Sequence, residues 1–232
     1  MEFASRTLVV TGGTGALGTA VVGHLIAQGA RCVVPYVHAA EMQRFAHRGD
    51  KTVTLVAVQN LADEADVTKL YAQAGAPLWG SIHIAGGFAM GKVADTDKTA
   101  LMAQIEQNLV SCFLCCRAAV NAMGKDGGRI VNVAARAALE PRTGAGMSAY
   151  TIAKSGVAAL TIALAEEVAK DGILVNAVAP SIMDTPANRH AMPNADYASW
   201  PKVEDVAATI LFLASPDNRV TRGAIVPVYG RS

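Results

Sequence analysis

Tyr150 and Lys154 stand four residues apart in Tyr150-Thr151-Ile152-Ala153-Lys154, within a stretch of helical periodicity. Residues at i and i+4 share a helix face, so a phenol and an ammonium can converge on one site. A free tyrosine ionises at about pH 10 and is a poor acid or base at neutral pH; a neighbouring cation favours the phenolate and lowers that value. The pair could then exchange a proton with an oxygen whose carbon gains or loses hydride. Tyrosine–lysine pairs at this spacing are common on exposed helices, so the pair acquires meaning only beside a second feature.

That feature is Thr11-Gly12-Gly13-Thr14-Gly15-Ala16-Leu17-Gly18, which follows an apolar run and opens a helical one. Such a turn bends the chain sharply, lets the backbone approach a pyrophosphate and presents free N–H groups at a helix start. Side chains would block the approach. Gly12, Thr14, Gly15, Leu17 and Gly18 are therefore candidate cofactor-binding residues.

The elements that must position these residues alternate along the chain. Strands are expected over 7–11, 31–36, 52–58, 80–84, 128–133, 173–178 and 224–228. Helices are expected over 16–28, 39–47, 64–74, 98–123, 148–170 and 203–214. The strands are rich in Val, Ile and Leu with little polar alternation, as strands buried on both faces should be. Strand–helix alternation predicts right-handed βαβ units, hence an α/β fold with one doubly wound parallel sheet of about seven strands. Ligands in such sheets bind at the carboxyl ends of the strands, near the topological switch.

Composition narrows the classes further. Of 232 residues, 52% are apolar and 17% charged, a balance that argues for a packed core and against disorder. The 44 alanines suit close helix packing. Lys and Arg number 20 against 19 Asp and Glu, so charge gives no reason to expect nucleic acid or an anionic membrane. Apolar runs stop short of the roughly 18 residues of a membrane span, and the first one is too short for a signal peptide. Cys112, Cys115 and Cys116 share a helical face and, with Cys32, are expected as core thiols of a reduced, cytoplasmic protein. No Cys/His spacing completes a metal site, so no metal is expected.

Taken together, the chain resembles the short-chain dehydrogenase/reductase superfamily from Thr7 to Gly230. The glycine turn is similar to its T-G-x-x-x-G-x-G turn, with Ala16 at the middle glycine, and fits the T-G-x-x-G-x-x-G variant at Thr11, Gly12, Gly15 and Gly18. Ala85-Gly86 resembles the end of the N-A-G motif, and Asn108-Leu109 the N-L segment. Arg129-Ile130-Val131-Asn132 resembles the fifth strand, and Asn176-Ala177-Val178-Ala179-Pro180 with Thr185 the nicotinamide-side loop. The resemblance implies a Rossmann-type sheet with helices on both faces, an NAD or NADP cofactor and hydride transfer. It implies that Tyr150 is the general acid/base, that Lys154 lowers its pKa and binds the nicotinamide ribose, and that Asn108 supports a relay water. Cofactor contacts would extend to Tyr36, Asn60, Leu61, Ala85, Gly86, Pro180 and Met183, with the Thr185 hydroxyl on the carboxamide. The resemblance also implies a homotetramer or homodimer formed through the long helices; the face at 111–119 would serve that or face the sheet.

The pattern breaks in several places. Ile84 replaces the usual Asn, and Pro180-Ser181 replaces Pro-Gly. Ala134 and Ala135 stand where the catalytic serine belongs; Ser148 and Thr143 are weaker substitutes. Losing that hydroxyl removes one hydrogen bond to a developing oxyanion, worth roughly 3 kcal/mol. Quinonoid dihydropteridine reductases share the alanine. Ala85-Gly86-Gly87-Phe88, Arg136-Ala137-Ala138-Leu139 and the run from Asp184-Thr185-Pro186-Ala187-Asn188-Arg189 to Ser199-Trp200 resemble theirs. That branch implies a quinonoid pterin, an electron-poor acceptor that depends less on the missing donor. A 3-oxoacyl or small-ketone reductase is the alternative, and a catalytically weak NAD(P)-binding sensor or scaffold is a reading of another class. One domain over 1–232 is expected, with a substrate lid at 181–200.

The second strand ends Val34-Pro35-Tyr36-Val37-His38, with no acid before Glu41. An acid at that strand end would accept from the ribose hydroxyls of NAD. Its absence removes a repulsion against a 2′-phosphate and leans to NADP, with His38, Arg44 or Arg48 as its nearest cations. His83 is expected as a core histidine and His190 as a residue of the lid.

Overall fold

The computed structural model describes residues 2–232. Its seven strands are β1 (Thr7–Thr11), β2 (Arg31–Tyr36), β3 (Val53–Ala57), β4 (Gly80–His83), β5 (Gly128–Val133), β6 (Ile173–Pro180) and β7 (Ile225–Val228). They form one parallel sheet in the order β3-β2-β1-β4-β5-β6-β7. The helices are α1 (Ala16–Ala27), α2 (Ala39–Arg44), α3 (Glu64–Ala74), α4 (Lys98–Ile105), α5 (Ser111–Ala122), α6 (Arg136–Leu139), α7 (Ser148–Glu167), α8 (Pro186–Ala191) and α9 (Val203–Ala214).

Alternate residues of each strand feed opposite cores, which is why the strands are apolar nearly throughout. Leu8, Val10, Ile82 and Val131 pack with Val21 and Leu25 of α1 and Val206 and Ile210 of α9. Val9, Ile130 and Val175 pack with Leu70 of α3, Cys115 of α5 and Val157 of α7. Leu8 stands opposite both Cys32 of β2 and Gly80 of β4. The winding reverses at β1, and the carboxyl ends of β1 and β4 flank the resulting crevice.

Several elements differ from expectation. The helix expected over 98–123 is interrupted by a π turn, Glu106–Val110, between α4 and α5. The one expected over 148–170 ends at Glu167, and a short 3-10 turn follows at Ala169–Asp171. β6 runs on to Pro180 because Ala179 and Pro180 pair with Pro227 and Val228 of β7. α8 lies in an expected loop; Thr185 as N-cap and Pro186 in the first turn are the local signals that start it. The Cys face of α5 belongs to the core, since Cys112, Cys115 and Cys116 are all buried. α7 is long and apolar enough to cross a membrane, contrary to the expectation that no run is, because alanines make up much of it. Val157, Ala158, Leu164 and Ala165 bury it as a core helix.

Candidate active site

The glycine-rich turn leaves β1 at the crevice and enters α1. Gly12 has φ +68°, and a Cβ there would lie 2.7 Å from Ala85 N, so the turn sits flush against the end of β4. A Cβ on Gly18 would lie 2.1 Å from Gly12 O, which holds α1 tight against the turn. No side chain caps α1, so its first-turn N–H groups face the crevice without a side-chain acceptor. The turn borders a cleft of about 750 Å³.

Every strand end near the switch contributes to this cleft. Gly12, Thr14, Gly15, Leu17 and Gly18 follow β1, Tyr36 ends β2, and Asn60 and Leu61 follow β3. Ala85 and Gly86 follow β4, and Met183 and Thr185 follow β6. The cleft also contains Val37, Glu41, Val58, Gln59, Gln107 and Ser111, which the sequence did not lead one to expect there. Of the three cations considered for a 2′-phosphate, Arg44 lines the cleft; His38 and Arg48 are not among its walls.

A smaller cavity of about 220 Å³ adjoins it and shares Leu17, Ile84, Gly86 and Met183 with the cleft. Here Tyr150 and Lys154 from the start of α7 meet Asn108, Pro180 and Ala135. Lys154 is buried, and its Nζ donates to Val133 O at 2.8 Å, with the nitrogen 6.0 Å from the Tyr150 ring centre. Burial brings Lys154 down from 10.5 to about 8. Tyr150 goes the other way from the expected direction: burial pushes it up to about 12. Loss of water around the phenol is the whole cause of this shift, and the ammonium, 6.0 Å from the ring centre, does not offset it. Phe88 meets Tyr150 edge to face, with ring centres 5.0 Å apart, and is 59% exposed at the mouth of the cavity.

Asn108 sits in the π turn, a distortion that often marks functional positions. Its Nδ2 donates to Gly87 O at 2.9 Å and Gln104 O at 3.0 Å, and its Oδ1 accepts from Gly87 N–H at 3.2 Å. The kink thus ties α4 to the loop after β4. Ala134 and Ala135 line the cavity, and neither proposed substitute for the serine does. Thr143 Oγ1 donates to Glu140 O, and Ser148 starts α7 outside the lining. Ser181 is the one hydroxyl in the lining besides Tyr150, and its Oγ donates to Tyr229 O at 2.9 Å.

Behind the cavity, His83 joins Cys112 and Cys116, a grouping that no local spacing reveals because β4 and α5 bring it together. Asn132 Oδ1 occupies the centre. It lies 2.8 Å from His83 Nδ1, 3.3 Å from Cys112 Sγ and 3.5 Å from Cys116 Sγ. His83 Nε2 meets Ser81 Oγ at 2.7 Å and Tyr71 OH at 3.2 Å, while Asn132 Nδ2 donates to Thr161 Oγ1 at 2.9 Å. These groups form a satisfied hydrogen-bond network, and His83 is a core histidine.

The segment 181–200 is held by its own side chains. Arg189 donates twice to Asp184, at 2.6 and 2.8 Å, and Thr185 Oγ1 accepts from Asn188 N–H to cap α8. Arg189 lies over Tyr197, which packs on the buried Trp200. The residue types that resemble dihydropteridine reductases in this run are therefore those that fix its shape. His190 is exposed and lines neither cavity.

Comparison with known proteins places this geometry in context. The chain matches the model of the short chain dehydrogenase family over residues 6–196. It is 31% identical to a (hydroxy(phenyl)methyl)succinyl-CoA dehydrogenase subunit of Thauera aromatica, covering 99% of this chain and 97% of that protein. It is 35% identical to the cis-4-hydroxycyclohexanecarboxylate dehydrogenase of Sinomonas cyclohexanicum, covering 98% and 96%. Its fold is that of a short-chain type dehydrogenase/reductase from Mycobacterium ulcerans, with a TM-score of 0.89 at 24% identity over 100% of this chain and 90% of the other.

Proposed function

The chain belongs to the short chain dehydrogenase family and is an oxidoreductase of that type; on that premise we propose that it reduces a small carbonyl or quinonoid substrate at Tyr150 with a nicotinamide dinucleotide. One observation carries the proposal: the cavity lined by Tyr150 and Lys154 opens directly into the glycine-lined cleft. A donor in the cleft and an acceptor in the cavity would then be neighbours.

The cleft fits such a cofactor, because the uncapped start of α1 and the flush backbone at Gly12 and Gly18 leave room for a pyrophosphate. When bound, the dinucleotide supplies the hydride. Gly12, Thr14, Gly15, Leu17 and Gly18 would hold its phosphates, and Tyr36, Asn60 and Leu61 would border its adenosine half. Ala85, Gly86, Pro180, Met183 and Thr185 would border its nicotinamide half, and Lys154 would bind the ribose on that side.

Tyr150 holds the proton. It is a phenol at neutral pH, and burial moves its ionisation further from that range; the phenol is the form that can donate to a substrate oxygen as that oxygen gains charge. The phenol O–H breaks and a substrate O–H forms; Lys154, which lines the same cavity, is the cation that would stabilise the phenolate left behind and help reload it. Asn108 anchors the relay side of the site through Gly87. Phe88 walls the mouth and keeps water from Tyr150.

Ala135 supports an acceptor that needs no second oxygen donor, and a quinonoid pterin meets that condition. The relatives favour a second reading, a 3-oxoacyl or small-ketone reductase, since their names describe dehydrogenases of a CoA thioester and of a cyclic hydroxy acid. NADP is supported by the acid-free end of β2, an argument that Glu41 in the cleft opposes. We take 1–232 as one dinucleotide-binding domain with 181–200 over the substrate, working in the cytoplasm on a small molecule rather than on nucleic acid or a membrane. A homodimer or homotetramer is supported by exposed Phe113 on α5 and Ile152 and Ile162 on α7.

The test is a screen of NADH and NADPH oxidation against pterins, quinones, diketones and acetoacetyl thioesters. Turnover of one class is expected. Tight dinucleotide binding without turnover of any acceptor would instead make the chain a sensor or scaffold.

A further inference from the structure

The cleft holds a carboxylate that the end of β2 lacks. β2 closes on Tyr36 and Val37 follows, so no acid stands at the strand end where an adenosine ribose is usually read. Glu41, in the first turn of α2, lines the same cleft as Tyr36 and Val37. It is clamped from two sides: Oε2 accepts from Thr14 Oγ1 at 3.1 Å, and Oε1 accepts from His38 N–H at 3.2 Å. Thr14 belongs to the glycine-rich turn, so the bond pins this carboxylate to the phosphate-side wall.

A carboxylate has about four acceptor sites, so two contacts leave room for a diol. Arg44, one turn further along, is the competing group in the cleft. It is exposed, and its Nε donates to Ala40 O at 3.2 Å, which commits part of the guanidinium to its own helix. The anion is tied to the glycine-rich turn as well as to the start of its own helix, whereas the cation is tied to its own helix alone.

Resting on the dinucleotide reading above, we propose that Glu41 selects the cofactor. Its carboxylate accepts from the vicinal ribose hydroxyls of NAD and repels the 2′-phosphate of NADP. The acid arrives from α2 instead of from the strand, which reverses the lean to NADP that the strand end alone suggests.

Calorimetric titration of the full chain with NADH and with NADPH tests this without turnover. Wild type should bind NADH tighter by about tenfold or more, since like charges brought together weigh heavily against the wrong partner. Glu41→Gln should bring the ratio towards one, and Glu41→Lys should invert it, with circular dichroism confirming that each variant is folded. A wild-type preference for NADPH, or a ratio that both variants leave unchanged, overturns the assignment. A folded variant that loses both dinucleotides equally also overturns it, because Glu41 would then only brace the turn through Thr14. Wild type that binds neither overturns the dinucleotide reading itself, and the assignment with it.

Discussion

Lys154 Nζ donates to the carbonyl of Val133 at 2.8 Å, which ties the buried ammonium beside Tyr150 to the end of β5. The tie satisfies one donor but does not repay the loss of water, and Lys154 falls from 10.5 to about 8. The folded chain therefore releases this proton earlier than the unfolded chain does. Between about pH 8 and pH 10.5 the unfolded state holds the extra proton, so stability rises with pH across that window. The full gain from this group is on the order of 3 kcal/mol. Denaturant titrations of wild type and Lys154→Met at about pH 7.5 and about pH 9.5 isolate it, because shared groups cancel in the difference. Wild type should gain on the variant at the higher pH; a constant difference would mean that Lys154 keeps its ordinary value.

The hydroxyl of Tyr150 carries the proton that the proposed reaction consumes. Tyr150→Phe keeps the edge-to-face contact with Phe88 and the wall of the cavity. Turnover should fall by about a thousandfold or more, in line with loss of a positioned acid, while NADH or NADPH affinity stays within a few-fold. Single-turnover assays with parallel cofactor titration decide it. Turnover that survives in the variant would remove Tyr150 from the mechanism.

Much of this geometry is legible in the residues. The βαβ alternation fixes the winding, so the glycine turn after β1 and Tyr150 in α7 must lie at the same sheet edge. What the sequence does not disclose depends on packing. The direction of the Tyr150 shift depends on how much water α7 loses against β5. Glu41 reaches the cleft only because the short α2 turns it towards Thr14, 27 residues earlier. The His83–Asn132 network joins β4, β5 and α5, and spacing within one segment cannot report it. The run from Asp184 to Trp200 is conspicuous for its residue types, yet Asp184, Arg189 and Tyr197 spend their polar groups on one another.

Ala135 lines the cavity, where the hydroxyls are those of Tyr150 and of Ser181, and Ser181 already donates to Tyr229 O. Ala135→Ser adds a donor with little change in volume. If a ketone is the substrate, the variant should turn over about tenfold faster or more, since an oxyanion donor acts mainly on the transition state. A quinonoid acceptor should respond by less than about threefold. Measuring kcat for both substrate classes separates them, and a slower variant with either would mean that the serine position is closed by packing.

Gly86 lies where the cleft and the cavity meet. A Cβ there would stand 2.4 Å from Asn108 Oδ1 and 3.5 Å from Lys154 Nζ. Gly86→Ala must therefore push Asn108 off Gly87 and disturb the π turn that carries it. The loop after β4 is partly exposed, so the fold should survive with a loss of about 1–3 kcal/mol, the usual range for one overpacked contact. Turnover should fall by about a hundredfold, because displacements of about 1 Å at a reacting centre cost that much. Thermal melting read against kcat distinguishes the two effects. A variant that keeps full turnover would show that Asn108 need not hold Gly87 for the site to work.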